Sequence, residues 1–404
     1  MPRTRSEKDS SLRPVPGGEV PGQADGPPSD GGGEADEGID DWDMDALLGG
    51  GPPWCTALRR RARRGVTRPA KTLGAHRTTA PPGRGGDPEK GLCPGNPGRH
   101  HGTPCGRARA RHRRARERPG TSDRSGVSAR LRATARETQE MVARGGYHAP
   151  SGIWRDLSGQ LAAAREGTRL YGPGPVPVPD TPPATTSVAV TGESTTAAVL
   201  RLAAEEGGPV GALNFASARN PGGGYLNGAQ AQEEAVCRAT ALYDCLLRAP
   251  AYYAHHREHR DALYSDRVIF APGVPVFRDD GGALLETPRT ASFLTSPAPN
   301  AGVLRRTDPA RARAEVGPAL ARRAERVVEV AAANGVRGLV LGAWGCGVFQ
   351  NDPAEVADAF RRLLTAPGAR FGATFDTVVF AVLDRSRAGT TRAAFEETFA
   401  PEGP

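Results

Sequence analysis

Apolar positions are spread very unevenly along the chain. Over residues 1–125 the few aliphatic side chains are scattered among Gly, Pro, Asp and Arg with no period of two or of 3.6. Such a segment buries too little apolar surface to offset its chain entropy, and a disordered tail is expected there. From Ser128 the texture changes. Ser128 to Arg144 has helical spacing, a serine start signal and a Gly145-Gly146 stop. Short β-rich runs then alternate with helical stretches. Strands are predicted over Ser187–Val190, Val210–Asn214, Val268–Ala271, Gly338–Leu341 and Thr377–Leu383, and helices over Thr195–Ala204, Ala229–Leu247, Ala319–Asn334 and Pro353–Leu364. The alternation predicts an α/β fold, a mixed β-sheet flanked by helices on both faces, with ligands outside the strand ends where loops enter helices.

Charge sharpens this division. The net charge of +8 suggests nucleic-acid binding, but its distribution does not. Residues 1–50 hold 4 Lys/Arg against 12 Asp/Glu, residues 51–125 hold 19 against 4, and residues 126–404 hold 30 against 29. The part with core-forming pattern is nearly neutral. The basic block allows weak, non-specific contact with nucleic-acid phosphates, and a solvated charged tail is the favoured reading. The start, MPRTRSEKDSS, has no apolar core of a secretory signal, and no run of about 18 apolar residues predicts a membrane span. Six cysteines, sparse and irregularly spaced, suit reduced thiols and a cytoplasmic location.

The densest chemistry lies in Asn220-Pro-Gly222-Gly223-Gly224, followed after a spacer of seven residues, Tyr225 to Ala231, by Gln232-Glu233-Glu234. It follows a predicted strand and enters a helix. Consecutive glycines let backbone approach a ligand, and the helix start offers N–H groups and a positive dipole end suited to diphosphate. Two adjacent acids in the first turn face the same cleft. The plainer alternative, a flexible loop before ordinary helix-start acids, accounts for the glycines but not for the whole string.

That string resembles the signature of the microbial-type poly(ADP-ribose) glycohydrolases: three glycines, a short spacer, then Gln-Glu-Glu. The resemblance covers about residues 128–390. It takes in Ala135, Glu137 and Thr138, the run from Val268 to Asp279, Thr295 to Asn300, and Gly342 to Phe349. It implies a macrodomain-like core over 183–390, with an N-terminal helical extension over 126–182 packed on it and a C-terminal tail over 391–404. It also implies cleavage of ribose–ribose bonds in poly(ADP-ribose), or in the chains on ADP-ribosylated proteins, without cofactor or metal. Glu234 maps to the catalytic acid and Glu233 to a ligand of ribose hydroxyls. The helix dipole favours an ionised Glu234, whereas Glu233 and the substrate's diphosphate are expected to push its proton affinity up. Asn220, Gly222, Gly223, Gly224 and Gln232 map to substrate binding. So does the second glycine loop, Gly345, Cys346, Gly347, Val348 and Phe349, with Phe349 against the distal ribose. Asn214 falls where macrodomains place an asparagine near that ribose. A non-catalytic ADP-ribose reader, and a hydrolase of ADP-ribose attached directly to protein or nucleic acid, are the rival readings.

Three features invite other chemistry. Cys93 and Cys105 flank His100 and His101, but the spacing fits no standard zinc finger. Cys346 is a nucleophile candidate without a nearby histidine. His255-His256-Arg257-Glu258-His259 matches an inverted zinc-peptidase pattern, yet lacks a third ligand on an acidic helix downstream, and reads better as a solvated basic helix face.

Overall fold

The computed structural model describes residues 121–179, 186–205 and 208–400. The acidic and basic blocks expected to form the tail, and the Cys93–Cys105 cluster, lie outside the described residues except for the last few positions.

Helix α1 (Thr121–Arg144) leads into a small hairpin, β1 (Gly146–His148) with β2 (Trp154–Asp156), and then α2 (Ser158–Gly167). The main sheet has seven strands in the order β3-β6-β7-β5-β8-β9-β4. These are β3 (Arg169–Tyr171), β4 (Ser187–Thr191), β5 (Val210–Phe215), β6 (Val268–Arg278), β7 (Leu284–Ser296), β8 (Gly338–Leu341) and β9 (Thr377–Ala381). The block β7-β5-β8-β9-β4 is parallel, β6 runs antiparallel to it, and β3 pairs antiparallel with β6 at the edge.

The sheet is apolar on both faces, as a covered parallel sheet must be. Along β5, Val210 and Ala212 enter one core while Leu213 enters the other; Ile269/Phe270, Leu339/Val340 and Val379/Phe380 divide the same way. One core lies under α1, α2, α4 (Gln232–Ala239), α5 (Leu242–Leu246) and α6 (Pro250–Glu258). The other lies under α7 (Ala301–Thr307), α8 (Pro309–Ala333), α9 (Pro353–Leu364) and α10 (Thr390–Thr398). Helix α3 (Thr195–Leu202) completes the first layer. This is the helix-flanked mixed sheet that the strand–helix alternation predicts, and among the described residues no helix is long and apolar enough to cross a membrane.

Several boundaries differ from expectation for physical reasons. The helix expected over Ala229–Leu247 is two helices, because Thr240 turns extended and bridges Val276 while the Ala241 N–H donates to the Pro275 carbonyl. Strand β6 runs seven residues past the predicted end at Ala271, through Pro272 and Pro275, with register irregularities between Ala271 and Val274 and between Val276 and Arg278. Strand β7 is absent from the predicted strands, since its outer half exposes Glu286, Thr287 and Arg289 and carries little apolar alternation. Helix α8 starts at Pro309, where Asp308 caps the Arg311 N–H, ten residues before the expected Ala319. The stretch expected as a C-terminal tail from residue 391 forms α10, whose Phe395 is buried against Phe380. Within the expected 126–182 extension, β3 pairs with β6 and so belongs to the sheet itself.

Candidate active site

The carboxyl ends of β5, β7 and β8 lie at one end of the sheet, and the two glycine loops leave from neighbouring strands β5 and β8. The first loop, residues 216–231, ends on α4. Gln232 at the start of α4 fixes that helix to β5: its Oε1 accepts from the Phe215 N–H at 2.8 Å, and its Nε2 donates to the Leu213 carbonyl at 2.8 Å and to Thr195 Oγ1 at 3.1 Å. The amide is hydrogen-bonded within the protein through both its oxygen and its nitrogen, so Gln232 fixes the start of the helix.

Both acids of α4 are buried, Glu233 to 2% and Glu234 to 7% residual exposure, in contrast with ordinary helix-start acids. Glu233 Oε2 accepts from the Ser217 N–H at 2.7 Å, and Oε1 accepts from Asn214 Nδ2 at 3.1 Å. Asn214 is itself fully buried and also donates to Thr295 Oγ1 on the adjacent strand at 3.2 Å. Glu234 Oε1 accepts from the Gly224 N–H at 2.9 Å, and Oε2 from the Ala231 N–H at 3.0 Å, which closes the helix start with its own side chain.

This geometry changes the reason for the three glycines. A Cβ on Gly223 would fall 2.6 Å from Glu234 Oε1 and 3.1 Å from Glu233 Oε2, and one on Gly222 would fall 2.9 Å from the Tyr243 ring. Gly222 and Gly223 also hold left-handed φ angles of 67° and 56°. The N–H groups of Gly222 and Gly224 serve Glu233 and Glu234 respectively. The loop expected to cradle diphosphate is, in this structure, a cradle for the two acids. Asn220 at its tip is exposed, with its N–H on Ser217 Oγ at 3.2 Å.

Burial is the largest influence on Glu233, and with the nearby Glu234 charge it outweighs the donors at Ser217, Asn214 and Gly222, pushing its carboxyl up to about 8. A folded-state value above the unfolded one gives stability that is complete below the unfolded value near 4.5 and is lost as pH rises through about 8. Glu233→Gln, which stays neutral, should therefore flatten the decline in unfolding free energy between about pH 5 and 8. Chemical denaturation across that range tests this, and a variant whose decline matched the unaltered protein would show that Glu233 is ionised when folded.

Helix α1 braces the loop from outside. Tyr225 donates to the Ala135 carbonyl at 3.0 Å and accepts from Gln139 at 3.1 Å. Thr138 Oγ1 donates to the Arg238 carbonyl at 2.9 Å, while buried Arg278 reaches Glu137 Oε2 at 2.7 Å. Arg238 in turn donates to the Ala229 carbonyl at 2.8 Å. Ala135, Glu137 and Thr138 stand out in the sequence, but their role as supports has no local signal, because their partners lie about 90 to 140 residues away.

The second loop, 342–352, is held by buried Trp344, which donates to the Ser296 carbonyl at 3.0 Å, and by Asn351, which donates to the Pro299 carbonyl at 2.8 Å. Gly345, at φ 74°, sits where a Cβ would meet Ala298 and Asn351 at 2.4 Å. Gly347 and Val348 are exposed at the tip, Val348 by 83%, and among the described residues their N–H groups have no hydrogen-bond acceptor in the protein. They point to this loop as the anion-binding one. The Phe349 ring lies 5.8 Å from that of Tyr264. Burial pushes the Cys346 thiol up to about 12, which removes the thiolate a nucleophile needs.

The family model for the microbial-type PARG catalytic domain matches residues 135–279. Crystal structures of poly(ADP-ribose) glycohydrolase from Thermomonospora curvata are similar to this chain. One is 47% identical with a TM-score of 0.63, spanning 67% of this chain and 100% of that one. Another, bound to the inhibitor ADP-HPD, has 47% identity and a TM-score of 0.62 over the same shares. The Deinococcus radiodurans enzyme in complex with ADP-ribose is 44% identical with a TM-score of 0.54, over 59% of this chain and 96% of that chain. The chain belongs to the microbial-type poly(ADP-ribose) glycohydrolase family. No curated protein sequence matches it.

Within that family assignment the histidine motif loses its metal reading on geometry. In α6 the buried His256 has Nδ1 on the Tyr252 carbonyl at 2.9 Å and Nε2 on Ser265 Oγ at 2.8 Å, while His255 Nε2 faces Arg267 at 2.8 Å. The expected solvated face is therefore only part of α6, since His256 belongs to the core.

Proposed function

We propose that the chain hydrolyses the ribose–ribose O-glycosidic bonds of poly(ADP-ribose), mainly from chain ends, to release ADP-ribose. The observation that carries this reading is the buried Glu233–Glu234 pair wrapped by Gly222–Gly224 beside a second loop with free backbone donors. A module that only binds ADP-ribose has no need of two buried acids at the cleft. The diphosphate lies on the second loop, at Gly347 and Val348. Asn220 and the Gly223 backbone line the ribose side, and Phe349 packs against the distal ribose. Glu233, held by Asn214 and Ser217, accepts the ribose hydroxyls.

Glu234 then protonates the leaving 2′-oxygen of the next unit as the C1″–O bond breaks, giving an oxocarbenium-like centre. Water adds at C1″ and returns its proton to Glu234. The products are ADP-ribose and a polymer one unit shorter. The part from residue 126 to 182 is read as a brace for the catalytic core, and the cytoplasm as its location, from the sparse cysteines. The basic stretch within 51–125 is read as a solvated segment able to make weak phosphate contacts.

Incubating the purified protein with poly(ADP-ribose) and identifying the products tests the function. Monomeric ADP-ribose should appear first. Early oligomers would reverse the exo assignment, and binding of ADP-ribose without any cleavage would make the protein a reader. Because acid catalysis by Glu234 calls for no Lewis acid, EDTA treatment is expected to leave the rate unchanged. Loss of activity restored by added zinc would show a metal-dependent reaction instead.

A further inference from the structure

The His255–His259 motif, set aside as a metal site, lies beside both catalytic loops. Arg257 at the end of α6 donates to the Arg219 carbonyl at 2.7 Å, one residue before Asn220 in the acid-holding loop. Seven residues on, Tyr264 presents its ring to Phe349 of the second loop at 5.8 Å and to His256 at 6.0 Å. The edge formed by the end of α6 and the turn after it thus touches the first loop at its start and the second loop at Phe349. Those are the positions between which the scissile ribose lies in the proposed reading.

The charge on this edge is strongly one-sided. Arg257 and Arg260 are exposed and Arg267 is half-exposed, and none has a carboxylate partner among the described residues. The local acids are otherwise engaged: Asp261 pairs with Arg311 at 2.7 Å, and Asp266 with Arg323 at 3.0 Å. Among the described residues of this edge, Glu258 alone remains on the exposed face to oppose the three guanidiniums. His255 stacks on His259 with ring centroids 4.1 Å apart and takes the Arg267 guanidinium on its Nε2. The result is a stacked ring pair set beside fixed cations.

We propose that this edge is a second subsite, which holds the diphosphate of the ADP-ribose unit on the leaving side of the scissile bond. The idea rests on the polymer-cleaving reading. When the terminal unit fills the cleft, its distal ribose lies between Glu234 and Phe349, and the next unit emerges beside that ribose. Each unit carries a doubly negative diphosphate and an adenine, and the edge presents guanidiniums for the first and stacked rings for the second. The subsite engages polymer but has nothing to offer free ADP-ribose, which ends at the scissile ribose. It therefore favours binding of chains over binding of product.

The test is the double variant Arg260→Glu/Arg267→Glu, which leaves Arg257 and both loops untouched. Its control is Arg289→Glu/Arg313→Glu, of equal net charge, at exposed positions on β7 and α8. With poly(ADP-ribose), the KM of the first variant should rise about tenfold with kcat within about twofold, as expected for two surface charge contacts reversed. Its dependence of log KM on log salt should become shallower by roughly 0.7 per lost cation, the value for a flexible single-stranded polyanion. Affinity for ADP-ribose should stay within about twofold of the unaltered protein, and the control should match the unaltered protein throughout. An unchanged polymer KM, an equal loss of ADP-ribose affinity, or the same loss in the control overturns the subsite while leaving polymer cleavage by the unaltered protein intact. Absence of cleavage by the unaltered protein would instead overturn the proposed function and the subsite with it.

Discussion

Glu234→Gln is expected to lower polymer cleavage by roughly 10²–10⁴-fold, the usual contribution of a positioned general acid. Glutamine keeps the side-chain length, and its carbonyl oxygen can still accept from the Gly224 or the Ala231 N–H, but it has no proton to give the leaving oxygen. Its amide NH2 must face one of these two donors, so α4 is expected to lose a little stability at its first turn. Binding of ADP-ribose, which depends on the second loop and on Glu233, should change by less than about tenfold. Product analysis with poly(ADP-ribose) and a direct titration with ADP-ribose separate the two effects. Cleavage at the unaltered rate would remove Glu234 from the mechanism.

Gly223→Ala should be nearly as damaging although it removes no functional group. The new Cβ would fall 2.6 Å from Glu234 Oε1 and 3.1 Å from Glu233 Oε2, on backbone at φ 56°. Something must move, and the loop and the acids are each tied to several partners. Relief therefore displaces at least one carboxylate by an appreciable fraction of an ångström. Misplacement approaching about 1 Å can cost roughly 100-fold in rate. The left-handed conformation adds roughly 1–2 kcal/mol of strain. The loss should appear in kcat more than in ADP-ribose affinity, because the free backbone donors of the second loop are untouched. Gly347→Ala makes the contrast: no atom lies within 4 Å of its added Cβ, so its folding stability should be unaffected. A Gly223→Ala protein with an unaltered kcat would mean that the acids have more freedom than their hydrogen bonds indicate.

Local signals were enough for much of this molecule. The strands at Val210–Phe215, Val268–Ala271 and Gly338–Leu341 are continuous apolar runs because each is covered on both faces, and that composition is readable residue by residue. The Gly222–Gly224 and Gln232–Glu234 string fixes a loop, a helix start and two acids within one short segment, so it too was visible without coordinates. What the sequence left open depends on partners far along the chain. Nothing near Gln232 reveals that its amide joins Leu213 and Phe215 of β5, and nothing near Gly223 reveals that its missing Cβ makes room for Glu233 and Glu234. Strand β7 was hidden because half of it is edge-like and polar, and it is held by pairing with β6 and β5 rather than by its own pattern. The histidine motif looked like a site in one dimension, and burial of His256 against Ser265 makes part of it core. Residue types and short spacings determined the elements and the chemistry available. Only the tertiary structure decided which backbone donors face the acids and which stay free, because hydrogen-bond partners and steric room are set by chain segments that sequence order keeps apart.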